Sequence, residues 1–98
     1  MQYRQIRLTG THQKYFARSI VEYFNELVAQ GKAVELKYSS DSYLLGAVYV
    51  NISPRFKTVK GDIEIEPKKA NVILISQHSL DDVVKQLRKE FPQLKRAQ

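Results

Sequence analysis

The sequence predicts an α+β fold. It reads as a two-layer sandwich in the order β-α-β-β-(β-hairpin)-β-α, a mostly antiparallel sheet with two helices on one face. Three observations predict it. Apolar residues recur at helical spacing in two stretches, near residues 16–28 and 80–91. Several segments between them alternate polar and apolar side chains at period two. One run, Asn71-Val-Ile-Leu-Ile-Ser76, is apolar at both parities. Helices with one apolar stripe and strands with one apolar face must bury both, and one sheet carrying two helices does so with least strain.

The elements follow in order. In residues 2–8 Ile6 and Leu8 take one face while Tyr3, Gln5 and Arg7 take the other, a half-buried first strand. Thr9, Gly10 and Thr11 punctuate the chain, and either threonine suits a helix cap. Phe16, Ile20, Phe24, Leu27 and Val28 then form the stripe of an amphipathic helix that runs to about Gln30, with Gly31 placed as its left-handed stop. Val34, Leu36 and Tyr38 alternate with Glu35 and Lys37 in the next strand. Ser39 to Ser42 reads as a turn.

Tyr43 to Ile52 reads as one strand. Leu44, Val48, Val50 and Ile52 take its inner face, and Tyr43, Leu45, Ala47 and Tyr49 its outer one. Residues 55–66 read as a second hairpin turning at Lys60-Gly61, with a bulge at Gly61 leaving the register open by one; in the simplest register Arg55 faces Glu66 and Lys57 faces Glu64. The run 71–76 is the candidate central strand. Ser79 opens the last helix, Asp81 and Asp82 occupy its first turn, and Pro92 follows its end. A single domain over residues 1–92 is expected, with 93–98 as a short, basic, frayed tail.

Composition bounds the function classes. The 98 residues hold 16 Lys and Arg against 10 Asp and Glu, a formal charge of +6, and no cysteine. The positive balance favours nucleic acid, anionic surfaces or acidic partners. The excess is spread: residues 1–53 hold six basic and four acidic residues, and 54–98 hold ten and six. Lack of cysteine excludes a disulfide framework, a thiolate nucleophile and a cysteine-ligated zinc, and fits a cytoplasmic location. No signal peptide, membrane span or other membrane attachment is expected.

No constellation for catalysis is visible, so an enzyme is not expected, nor a cofactor, nor a metal. His12 and His78 are far apart in sequence and read as loop histidines. Asp62, Glu64 and Glu66 share a strand face, and cross-strand pairing with Arg55 and Lys57 accounts for them better than a cation does. Ser39, Ser40 and Ser42 belong to a turn. The glycines at 10, 31, 46 and 61 are isolated and form no phosphate-cradling loop.

Two sets remain. Lys85, Arg88 and Lys89 on the last helix, with Lys95 and Arg96 beyond it, read either as a solvated face or as a phosphate-binding surface. Tyr3, Tyr43, Leu45 and Tyr49, with Arg7 beside them, read as an open sheet face. Such a face stacks bases, is covered by a protein partner, a second copy of the chain included, or simply packs across strands with its hydroxyls in water.

Three stretches also carry a resemblance. They are Leu8-Thr9-Gly10 before the first helix, the hairpin VELKYSSDSYLLGAVYVN, and the segment VILISQHSLDDVVKQLRKEF. In order and character they resemble the ribosome hibernation factors, small basic β-α-β-β-β-α proteins bound in the decoding region of the ribosome. The resemblance covers most of the chain as an order of elements and little of it in identity, and the hairpin at 55–66 departs from the shorter connection of that family. It implies an RNA- or ribosome-associated, non-catalytic binding domain; the alternative is a protein-interaction module or homodimer using the tyrosine-bearing face.

Overall fold

Phe16, Ala17, Ile20, Val21, Phe24 and Leu27 are spaced to lie along one side of a helix, and all six are buried in α1 (Phe16–Ala29). A computed structural model of the chain describes residues 2–37, 41–53 and 68–97. In it, Gly31 ends α1 as expected, at φ +73°. The Gly31 N–H bonds the Val28 carbonyl at 3.0 Å and the Lys32 N–H bonds that of Leu27 at 2.8 Å, satisfying two carbonyls the helix end would otherwise leave open. The start differs from expectation. Thr9 and Thr11 complete β1 (Arg4–Thr11) instead of capping α1, which begins beyond them without a side-chain cap.

Four further strands and a second helix follow: β2 (Val34–Lys37), β3 (Asp41–Leu45), β4 (Val48–Ser53), β5 (Lys69–Ser76) and α2 (Asp81–Glu90), then a two-residue strand, β6 (Lys95–Arg96). All neighbours pair antiparallel in the order β2-β3-β4-β5-β1-β6. The apolar run at 71–76 thus lies inside the sheet, between β4 and β1. Both helices cover one face. Phe24 and Leu27 of α1, Val84 and Leu87 of α2, and Leu8, Val50, Val72 and Leu74 of the sheet belong to one continuous core. The helices also meet each other: Gln86 Nε2 donates to the Tyr23 hydroxyl at 2.9 Å, and the Tyr23 ring stands edge-on to Phe91 at 5.5 Å. The expected hairpin at 55–66, with its Arg55–Glu66 and Lys57–Glu64 pairing, lies outside the described residues, as does the Asp62-Glu64-Glu66 set.

Two expectations need correction. The single strand 43–52 is a hairpin, β3 and β4 joined at Gly46-Ala47 with Leu45 opposite Val48. Gly46 sits at φ +60°, a conformation a two-residue hairpin turn demands and glycine adopts without strain. The turn reverses the parity of everything before it. Tyr43 and Leu45 share the helix-covered face with Val48, Val50 and Ile52, and Leu44 shares the open face with Tyr49. The second correction concerns the tail. Leu94 is fully buried, Leu8 pairs with Arg96 and Thr9 with Lys95, and the Ala97 N–H bonds the Arg7 carbonyl at 2.9 Å. A lone apolar side chain with a seat in the core anchors the segment.

Tyr43 is the clearest consequence of the hairpin. Its ring is 2% exposed and stacks on Phe24 with centroids 5.2 Å apart, and its hydroxyl donates to Asn25 Oδ1 at 2.7 Å. Burial, with the nearby carboxylates of Asp41 and Glu35, pushes the phenol up to about 12 from an ordinary 10.0. Between those values the unfolded chain loses a proton that the folded chain keeps, so stability is full below pH 10 and falls as pH rises to about 12. The Tyr43→Phe variant is expected to lack this component. Urea denaturation of both proteins from about pH 9 to 12 checks it; parallel pH profiles would show that the phenol contributes nothing.

Candidate nucleic-acid interface

The sheet face away from the helices is built in rows, because antiparallel register sets one residue of each strand opposite one of the next. The first row runs Val34, Leu44, Tyr49, Ile75 and Gln5 across five strands. The second runs Leu36, Ser42, Asn51, Ile73 and Arg7. The third runs Ser53, Asn71, Thr9 and Lys95. Lys69, opposite Thr11, begins a fourth. Successive rows stand about 7 Å apart, two residues along a strand. The face therefore grades from apolar and aromatic at one end to polar and basic at the other.

The apolar end is shaped as well as exposed. Val34 is 60% exposed and Leu44 37%. Tyr3, Leu44, Ala47, Tyr49, Ile75 and His78 line a shallow cleft of ≈ 290 Å³. Its floor is fixed by Ser76, whose hydroxyl donates to the Ala47 carbonyl at 3.0 Å and accepts the His78 N–H at 3.1 Å. This ties the β3–β4 turn to the end of β5 and sets His78 at the rim. Tyr49 is braced from the second row: its hydroxyl lies 3.2 Å from Ser42 Oγ, which also accepts from Asn51 Nδ2 at 3.0 Å.

Charge separates by layer. Arg7, Lys69 and Lys95 are exposed on the open face. Among the described residues that face carries no carboxylate. Glu22 and Glu26 belong to α1, and Asp81, Asp82 and Glu90 to α2. Glu35 and Asp41 fall on the other parity, opposite Tyr43 and Ile52. Arg7 stands one row from Tyr49, and Lys95 and Lys69 stand two and three rows from it, so the positive field, with no carboxylate beside it among the described residues, lies at the polar end of the face.

The structure divides the residues that the sequence singled out. Tyr3 and Tyr49 lie on the open face with Arg7, as expected. Tyr43 and Leu45 do not: Tyr43 is enclosed between sheet and α1, and Leu45 packs against the core. The five basic residues do not form one surface either. Lys85, Arg88 and Lys89 ride on α2, in the layer opposite Tyr49. Arg88 Nε donates to the Leu94 carbonyl at 3.2 Å, so this side chain secures the C-terminal segment. Arg96, opposite Leu8, turns to the helix side and pairs with Asp81 at 3.4 Å. Lys95 alone of the five joins the tyrosines. Missed from the sequence were Leu44, Ile73, Ile75, Lys69 and His78 as members of this face; register across strands places them there, and alternation within one strand does not reveal it.

Comparison with family models, with curated proteins and with solved structures finds no match to this chain. Fold and face define a small antiparallel α+β domain in which, among the described residues, no helix covers the second sheet face; Ser42 is buried on it and Tyr49, Ile73 and Ile75 are half-buried. No helix among the described residues is long and apolar enough to cross a membrane.

Proposed function

We propose that the protein is a non-catalytic RNA-binding domain that takes single-stranded RNA on its open sheet face. The observation that carries this reading is the graded face, aromatic and apolar at Tyr3, Tyr49 and Ile75, basic at Arg7, Lys69 and Lys95, and without a carboxylate among the described residues. Bases stack on the first part and phosphates lie along the second, the division of labour used by single-strand binders. The three stretches that resemble ribosome hibernation factors favour RNA of a ribosome as the partner, while the separate strands β3 and β4 and the added β6 depart from that family's order of elements.

Titration of a short labelled single-stranded RNA tests the reading. Tyr49→Ala is expected to weaken binding roughly 5- to 150-fold, the range for loss of one base stack. Replacing Arg7 and Lys95 together by glutamine is expected to reduce the salt dependence by about 0.7 in log–log slope for each phosphate no longer neutralised. Lys85→Gln with Lys89→Gln, on the other layer, is expected to change little. No binding at low salt, or binding that depends on Lys85 and Lys89 instead, would overturn the reading.

A second reading rests on the exposed pair Val34 and Leu44, which extends the apolar row beyond what stacking needs. A protein partner over that row gives binding insensitive to Arg7 and Lys95 and abolished by Leu44→Asp.

A further inference from the structure

The sheet ends at β2, whose outer side carries a row of backbone groups with no strand beside them among the described residues. Edge strands deter a second chain with proline, a bulge, charged side chains or shortness, and β2 has the last two of these. β2, Val34-Glu35-Leu36-Lys37, has no proline and no positive φ, and its two charges are of opposite sign. Glu35 and Lys37 are two residues apart, so they share one face, and both are exposed. Within one copy Lys37 stands opposite Asp41 of β3, and Glu35 opposite the uncharged Tyr43.

That arrangement is self-complementary. If two copies of β2 run antiparallel about a two-fold axis through Leu36, Glu35 of each stands opposite Lys37 of the other, and Leu36 stands opposite Leu36. Both charge pairs are then attractive, and opposite charges directly across strands stabilise pairing. Leu36 of the open face, half-buried in one copy, comes under cover of its counterpart in the other. Lys37 alone would repel its copy; Glu35 turns the repulsion into a match.

We infer that the chain forms a two-fold dimer by antiparallel pairing of β2 with β2 of a second copy, joining two six-stranded sheets into one. This inference is independent of the RNA reading, which uses the face and not the edge. In this register residues 35–37 of each copy pair, three of the four residues of β2. So short a contact makes a small interface, and the dimer is expected to be weak.

Sedimentation and cross-linking test it. Glu35→Lys and Lys37→Glu are each expected to weaken association about tenfold, since each converts two attractive pairs into two repulsive ones, and the double exchange E35K/K37E is expected to restore it. The chain has no cysteine, so one introduced thiol reports one position. Leu36→Cys is expected to form an intermolecular disulfide readily, because Cα atoms opposite each other in an antiparallel pair stand about 4.5–5.5 Å apart, within disulfide reach. Val34→Cys is not, because its own copy would lie about 13 Å away along the strand. A wild-type protein that stays monomeric up to its solubility limit overturns the inference. So does a dimer indifferent to the charge exchanges, or one that cross-links through Cys at position 34 as well as at 36, the result expected of stacked open faces.

Discussion

Tyr43→Ala is expected to lower the stability of the domain by about 3–5 kcal/mol, the range for truncating a buried aromatic side chain to a methyl group. Small domains have about 5–15 kcal/mol in total, so the variant should be marginal or unfolded at about 37 °C. Three losses combine. The ring is 2% exposed, so its apolar surface returns to water. Its stacked neighbour Phe24, at 5.2 Å, loses a partner and faces a cavity. Asn25 loses the hydroxyl that donates to it. Tyr49→Ala, beyond the turn and on the other face, should cost far less, within about 1 kcal/mol. Denaturant titration of the two variants side by side reads the difference. Equal losses would mean that the parity of the β3–β4 hairpin is wrong and with it the composition of the open face.

That parity was the main thing the sequence hid. Leu44-Leu45-Gly46-Ala47-Val48 is apolar at both parities, so alternation continues through it whether or not the chain turns. A two-residue turn pairs Leu45 with Val48, and each side chain before the turn then changes face relative to a continuous strand. The glycine was visible, but one glycine followed by alanine marks a turn only if the strands on either side pair. The consequence reaches experiment: a charge at Leu45 challenges the core, and a charge at Leu44 challenges the open face.

The helices and β5 were legible because their patterns are long. Six buried positions of α1 repeat at helical spacing, and the Gly31 stop follows from the same pattern. Arg7 and Tyr3 are legible on the open face from the alternation of β1, and Tyr49 because it lies beyond the turn, where the parity of the strand is unchanged. The basic cluster was not legible as a site. Lys85, Arg88, Lys89, Lys95 and Arg96 are close in sequence, but the chain passes from the helix layer into the sheet between Glu90 and Lys95. Neighbours in sequence thus end on opposite sides of the molecule. The two residues of β6 are too few to show any period, and only their partner, β1, defines them.

The same junction sets the second large effect. Gly10→Ala is expected to destabilise the domain by about 2–3 kcal/mol, through crowding of backbone against backbone. A Cβ at position 10 would stand 2.5 Å from the Gln93 carbonyl oxygen, 2.9 Å from its carbon and 3.2 Å from the Leu94 Cα. None of these is the tip of a flexible side chain, so the C-terminal segment itself must shift. That segment carries the buried Leu94, the pairing of β6 with β1, and the carbonyl that Arg88 holds. Hydrogen exchange should therefore quicken at the Ala97 amide, bonded to Arg7, well before the amides of β5. Gly31→Ala, which strains a helix stop with nothing within 4 Å of the added carbon, should leave that amide protected. A double-mutant cycle with Leu94→Ala decides the mechanism. If Gly10→Ala already dislodges Leu94, the second truncation costs less than it does alone, and the two couple by about 1 kcal/mol or more. Additive losses would show that Leu94 keeps its seat and that the strain is relieved elsewhere. The outcome bears on the candidate interface too, because Lys95 reaches the open face only while β6 stays paired to β1. A Gly10→Ala protein that remains folded should bind RNA with a shallower salt dependence than wild type, approaching that of a Lys95→Gln variant.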